Sequence, residues 1–196
     1  MSMDYLRIAL DLAAQGQGRV SPNPAVGAVL VRDGAVVGQG FHTWATVKHA
    51  EVVALEQAGA LAQGATLYIN LEPCAHQGRT GPCADALIAA GVKKVVAITA
   101  DPNPQVSGQG FARLRAAGVE VELDETHLRE ATDLNLAFFH FMKTGRPLVT
   151  LKSALTLDGK IAAPEDNSGW ITSERARAHV QQVRHLHDAI LTGIDT

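Results

Sequence analysis

The sequence predicts an α/β layered domain with a mixed central sheet, followed by the start of a second α/β unit. Three observations predict it. Short apolar runs alternate with helix-period segments. The first two strand-like runs flank Asp33-Gly34, the dipeptide of a two-residue hairpin turn. Gly145 and Pro147 then interrupt the chain before a fresh strand-like run begins.

Taken in order, Tyr5, Ile8, Ala9, Leu12 and Ala13 share one helical face, so residues 4–15 are expected to form an amphipathic helix. The turn-rich SPNPAVG leads into the hairpin AVGAVLVR and AVVGQGFH. A helix is expected over His49–Ala62, then a buried strand TLYINL. The loop EPCAHQGRTGPC precedes helix ADALIAAG and strand VKKVVAIT. After DPNP come helix GFARLRAAG, strand VEVEL and one long helix over Glu125–Lys143. Domain boundaries follow as 1–145 and 146–196. The second unit reads as strand PLVTLKSAL, a turn at Leu157–Lys160, a loop to Trp170, a helix and strand DAILTG. About fifty residues of strand–helix–strand leave sheet edges open and make too small a core. It is expected to be the opening of a domain whose remainder lies outside this chain.

Composition narrows the function classes. An apolar fraction of 46% and a charged fraction of 19% are those of a globular protein. Seventeen basic against 20 acidic residues give a net charge of −3, which argues against a broad nucleic-acid surface. No apolar run approaches the roughly 20 residues of a membrane span. The N-terminal stretch carries acidic residues and reads as a helix, not a signal peptide. The expected location is the cytoplasm, where Cys74 and Cys83 would be ligands and not a disulfide.

The chemistry concentrates in His49-Ala50-Glu51, Pro73-Cys74 and Pro82-Cys83. Zinc favours imidazole nitrogen and thiolate sulfur, and hydrolytic sites use three protein ligands with one open position. His49, Cys74 and Cys83 supply those three, at predicted strand and helix ends. Glu51, two residues beyond the histidine, is the expected proton shuttle. His-x-Glu followed by a Pro-Cys pair is the signature of zinc deaminases acting on base-like rings, although eight residues separate the cysteines here. A structural zinc would need a fourth ligand, for which His76 is the nearby candidate. Each fragment alone also has a plain reading as a helix cap, a buried thiol or a turn former.

HAEVVAL, NLEPCAHQGRTGPC and DPNPQVSGQG resemble the bifunctional riboflavin-biosynthesis deaminase/reductase family. That family joins diaminohydroxyphosphoribosylaminopyrimidine deaminase to 5-amino-6-(5-phosphoribosylamino)uracil reductase. SPNPAVGAVLV and KSALTLDGKIA fit as well, so the resemblance covers essentially the whole chain. It implies a cytidine-deaminase-like three-layer domain and then an incomplete dihydrofolate-reductase-like segment. The implied reaction is zinc-dependent deamination of 2,5-diamino-6-(5-phosphoribosylamino)pyrimidin-4(3H)-one, with NADPH-dependent ribosyl reduction in a full-length chain. The resemblance puts Asn23, His42, His76, Arg79, Asp101 and Asn103 around the deaminase substrate. It puts Ser168 and Arg184 on the reductase substrate, and Ala154, Trp170 and Thr196 on NADP. This chain alone is expected to bind NADPH poorly and to lack reductase activity. The implied partner is a small phosphorylated pyrimidine; the open sheet edges suggest homo-oligomers or instability, and charge and hydropathy argue against nucleic acid and membrane. Alternatives are a nucleoside, purine-base or tRNA deaminase, or a non-catalytic zinc-binding module.

Overall fold

The computed structural model describes residues 3–78, 80–162 and 170–194. The chain forms two compact units that divide after Pro147.

In the first unit the elements follow in order as α1 (Tyr5–Ala14), β1 (Gly27–Arg32), β2 (Ala35–Phe41), α2 (Ala50–Ala58), β3 (Thr66–Ile69), α3 (Cys83–Ala89), β4 (Lys94–Ala97), α4 (Gln109–Ala116), β5 (Glu120–Leu123), α5 (Leu128–Leu134) and α6 (Leu136–Thr144). The strands form one sheet in the order β2-β1-β3-β4-β5. β1 is antiparallel to β2 and to β3, whereas β3, β4 and β5 are parallel. The sheet is therefore mixed, as the sequence pattern predicts. Asp33 and Gly34 both have positive φ, 52° and 77°, the geometry of the primed hairpin turn expected there.

Alternation along the strands builds three layers. Ala28 and Leu30 of β1, Leu67 and Ile69 of β3, and Val95 and Ala97 of β4 pack on one face, under α2, α3 and α4. Val29 and Val31 face the other way with Val96, against α1 and α5. Burial on both faces explains why these strands read as continuous apolar runs. The β2–α2 contact depends on missing side chains. A Cβ at Gly38 would sit 2.2 Å from Ala54 O, and one at Gly40 would sit 2.6 Å from Ala50 O. This close approach sets α2, and with it His49 and Glu51, directly on the sheet.

The long helix expected over Glu125–Lys143 is instead a 3₁₀ turn, Glu125–His127, followed by α5 and α6. The break falls at Asn135, whose backbone (φ −113°, ψ 27°) leaves the helical region. Its buried side chain accepts from Ala25 N at 2.7 Å and donates to Ala25 O at 2.9 Å. α6 stops at Gly145, in the left-handed region at φ 66°, with its N–H on Phe141 O.

The second unit contains α7 (Glu174–His185), capped by Ser173, whose hydroxyl accepts from Ala176 N. The turn expected at Leu157–Lys160 is present, with Thr156 N donating to Lys160 O. The strands expected at 147–155 and 188–193 are not formed among the described residues. A strand requires a paired neighbour, and here Val149 is 84% exposed and Leu191 99%.

Candidate metal centre

The site is assembled where three elements end. His49 is the N-cap of α2, in extended backbone (φ −73°, ψ 159°) with no capping bond from its side chain. The imidazole is thus free to serve the site. Cys74 follows β3 in the loop that crosses to α3, and Cys83 opens α3. The donor atoms of His49, Cys74 and Cys83 all lie within 4.8 Å of one another. His49 Nδ1 is 3.2 Å from Cys83 Sγ and 3.6 Å from Cys74 Sγ. A tetrahedral zinc with Zn–S of about 2.3 Å and Zn–N of about 2.0–2.1 Å separates sulfur from nitrogen by roughly 3.6 Å. The three side chains fit that ion in donor type and number, and the His49–Cys74 separation matches the tetrahedral value.

The electrostatics agree. The contact with Cys83 and the neighbouring His49 lower the Cys74 thiol to about 4, against the opposing cost of burial. Cys74, in turn, raises His49 above its ordinary value. With a thiolate already beside it, and burial acting in the same sense, Cys83 is held protonated. A dication between the donors is the chemistry that would ionise both sulfurs.

Glu51 lies in the first turn of α2 and is 4% exposed. Burial, and then the Cys74 charge, raise its carboxyl to about 7. A carboxyl at that value can both take and give a proton near neutrality.

A cavity of about 440 Å³ opens over these groups. It is lined by Asn23, His42, His76, Asp101 and Asn103 together with His49, Glu51 and Cys74. Asn23 and His42 form one polar wall. His42 Nδ1 lies 2.8 Å from Lys48 O, and Asn23 Nδ2 lies 3.2 Å from His42 Nε2. Donation from Nδ1 to the carbonyl leaves Nε2 to accept from the amide. Burial lowers the His42 pKa, which keeps this neutral form. Asp101 Oδ1 accepts from Asn103 N at 2.8 Å in a tight local turn, and burial raises its carboxyl. Arg79 lies outside the described residues.

The sequence alone did not identify the apolar part of this cavity. Trp44, Val47, Val106, Phe138 and Met142 line it. Phe138 and Met142 are four residues apart on α6, a spacing that also suits an ordinary core face. Nor did it give a task to Glu72, which stands in the motif itself between Leu71 and Pro73 and is buried.

In the second unit Ala154 is half-buried, while Trp170 and Arg184 are exposed. The Arg177 guanidinium lies 4.7 Å over the Trp170 ring. Among the described residues no hydrogen bond or ring contact joins Ala154, Trp170 and Arg184, and Ser168 and Thr196 lie outside those described.

Comparison with known proteins agrees with this geometry. Residues 147–196 match the RibD C-terminal domain. The chain is similar to the riboflavin biosynthesis protein RibD of Aquifex aeolicus, 49% identical over 193 residues that cover 98% of this chain and 54% of that protein. Its fold is similar to Acinetobacter baumannii RibD, with a TM-score of 0.90 and 49% identity over 97% of this chain and 53% of that one. It is also similar to a Thermotoga maritima diaminohydroxyphosphoribosylaminopyrimidine deaminase/5-amino-6-(5-phosphoribosylamino)uracil reductase. There the TM-score is 0.83 and the identity 44%, over 92% of this chain and 52% of that one. The chain thus spans about half the length of the relatives it matches. Residues 2–99 of its 196 match the cytidine and deoxycytidylate deaminase zinc-binding region, and the chain belongs to that family.

Proposed function

We propose that the first unit is a zinc-dependent hydrolase that deaminates 2,5-diamino-6-(5-phosphoribosylamino)pyrimidin-4(3H)-one, releasing ammonia and 5-amino-6-(5-phosphoribosylamino)uracil. The observation that carries this reading is the buried Glu51 carboxyl lining one cavity with His49 and Cys74, whose donor atoms lie within 4.8 Å of each other and of Cys83. The name of the Thermotoga relative, 44% identical, supports the substrate, and that of the Aquifex relative supports a place in riboflavin biosynthesis.

Bound by His49, Cys74 and Cys83, zinc supplies Lewis acidity that lowers the pKa of water towards neutrality. The residues do the rest. Glu51 takes one proton from water at its carboxylate and returns it to the ring nitrogen. The oxygen of that water bonds to the ring carbon, and Glu51 then carries the second proton, from the new hydroxyl, to the exocyclic amine, so that the C–N bond breaks and ammonia leaves. The neutral His42–Asn23 pair offers fixed polar edges against which a pyrimidine can be oriented. We assign His76, Arg79, Asp101 and Asn103 to the ring and the sugar phosphate, the Arg79 guanidinium being the group that can grip phosphate with two hydrogen bonds. For the second unit we assign Ala154, Trp170 and Thr196 to NADP and Ser168 and Arg184 to substrate in a reductase domain. The match of residues 147–196 supports the domain.

A substrate panel tests the reading. The zinc-loaded chain is expected to turn over the phosphoribosyl pyrimidine and to leave cytidine, guanine and tRNA untouched. Turnover of any of those three with none of the phosphoribosyl pyrimidine would overturn it.

A further inference from the structure

Glu72 is a buried acid that the chemistry above leaves without a task. Its two oxygens accept four backbone N–H groups. Oε2 takes those of Asp101 at 3.0 Å and Gly108 at 2.9 Å, and Oε1 takes those of Gly110 at 2.8 Å and Phe111 at 3.2 Å. A carboxylate this deep is costly unless its lone pairs are used, and here both oxygens are occupied twice. The four donors are not scattered. Asp101 begins the loop after β4, while Gly108, Gly110 and Phe111 open α4. One side chain therefore closes both ends of the 101–108 loop.

The same residue is tied to the metal side. Glu72 is followed by Pro73 and Cys74, and its own N–H donates to Thr99 O at 2.9 Å. The α4 backbone also rests directly on this segment. A Cβ at Gly110 would lie 1.9 Å from Pro73 O, so only glycine allows the approach. Asp101 and Asn103, which line the cavity, ride on the clamped loop.

We propose that Glu72 is a positioning residue that fixes the Asp101–Asn103 wall relative to the Cys74 edge of the metal centre, and so governs substrate affinity more than the chemical step. This rests on the reading of Asp101 and Asn103 as substrate contacts. A carboxylate that merely capped α4 would change stability and leave affinity alone.

Glu72→Gln separates the two. The amide keeps the shape but has one accepting oxygen, so its NH₂ meets two backbone N–H groups head on. In the zinc-loaded chain KM for the phosphoribosyl pyrimidine is expected to rise about tenfold, with kcat within about threefold and zinc content unchanged. Unchanged KM with a lowered melting temperature would overturn the positioning role, as would a fall in kcat alone. Wild-type turnover of the same substrate is read first, so failure of the substrate reading is recognised separately. Amide hydrogen exchange on the wild-type chain reads the clamp whether or not the variant folds. The Asp101, Gly108, Gly110 and Phe111 amides are expected to be protected together, and rapid exchange at them would contradict the clamp.

Discussion

The backbone N–H of Cys83 donates to Cys74 Sγ at 3.4 Å, so one candidate ligand residue fixes the sulfur of the other. A second bond, from Ala84 N to Cys74 O at 3.1 Å, holds the same loop to the first turn of α3. The wide gap between the cysteines is thus closed by the protein's own backbone, and among the described residues the donors are set in place without a fourth protein ligand. His76, the candidate for a fourth, lines the cavity and is exposed.

Removing any donor should therefore remove the metal. Cys74→Ser, Cys83→Ser and His49→Ala are each expected to lower bound zinc from about one per chain to near zero. Metal analysis after gel filtration reads this, and full zinc in any of the three would remove that residue from the ligand set.

Glu51→Gln should behave in the opposite way. The amide fills the same buried volume but cannot carry a proton. Zinc should stay near one per chain while kcat falls by at least about 100-fold. Retained turnover with full zinc would dismiss the shuttle.

Asn135→Ala should destabilise the first unit. It leaves Ala25 N without its acceptor, while Ala25 O keeps the Asn70 amide at 3.0 Å. One buried unsatisfied N–H and a small void should together cost about 2–3 kcal/mol, read from urea unfolding. A change below about 0.5 kcal/mol would mean that the clamp carries no stability.

The His127–Asp4 pair, at 2.8 Å between α1 and the turn before α5, gives a pH dependence with a definite sign. Asp4 raises the His127 pKa above its ordinary 6.5, so this part of the stability is full below 6.5 and fades as pH rises through the raised value. The Arg7 amide, and then His127, lower Asp4 below 3.8, so its part holds above 3.8 and fades as pH falls through the lowered value. The window between those values is where the pair helps most. The stability lost in His127→Gln should therefore be larger at about pH 5.5 than at about pH 8.5. An equal or reversed difference would exclude the pair as the cause.

Much of this was legible in the residue pattern, for local reasons. Asp33-Gly34 specifies its turn because few other residues tolerate two positive φ values in succession. His49, Glu51, Cys74 and Cys83 stand at element ends, where periodicity stops, and so were open to reading as a set. What escaped depends on distant partners. The break at Asn135 exists because Ala25, far away in the chain, offers both a donor and an acceptor. Glu72 takes its task from amides of a loop about thirty residues on, which no local pattern encodes. The runs at 147–155 and 188–193 have strand composition, but composition cannot supply the neighbour a strand must pair with.

The most direct measurement is ammonia release from the phosphoribosyl pyrimidine by the chain before zinc removal, after it, and after zinc is restored. One ammonia per uracil product is expected from the zinc-loaded chain, none after chelation, and recovery in proportion to the zinc added back. Undiminished release by the zinc-free chain, or none from the loaded one, would contradict a zinc-dependent deaminase built on His49, Glu51, Cys74 and Cys83.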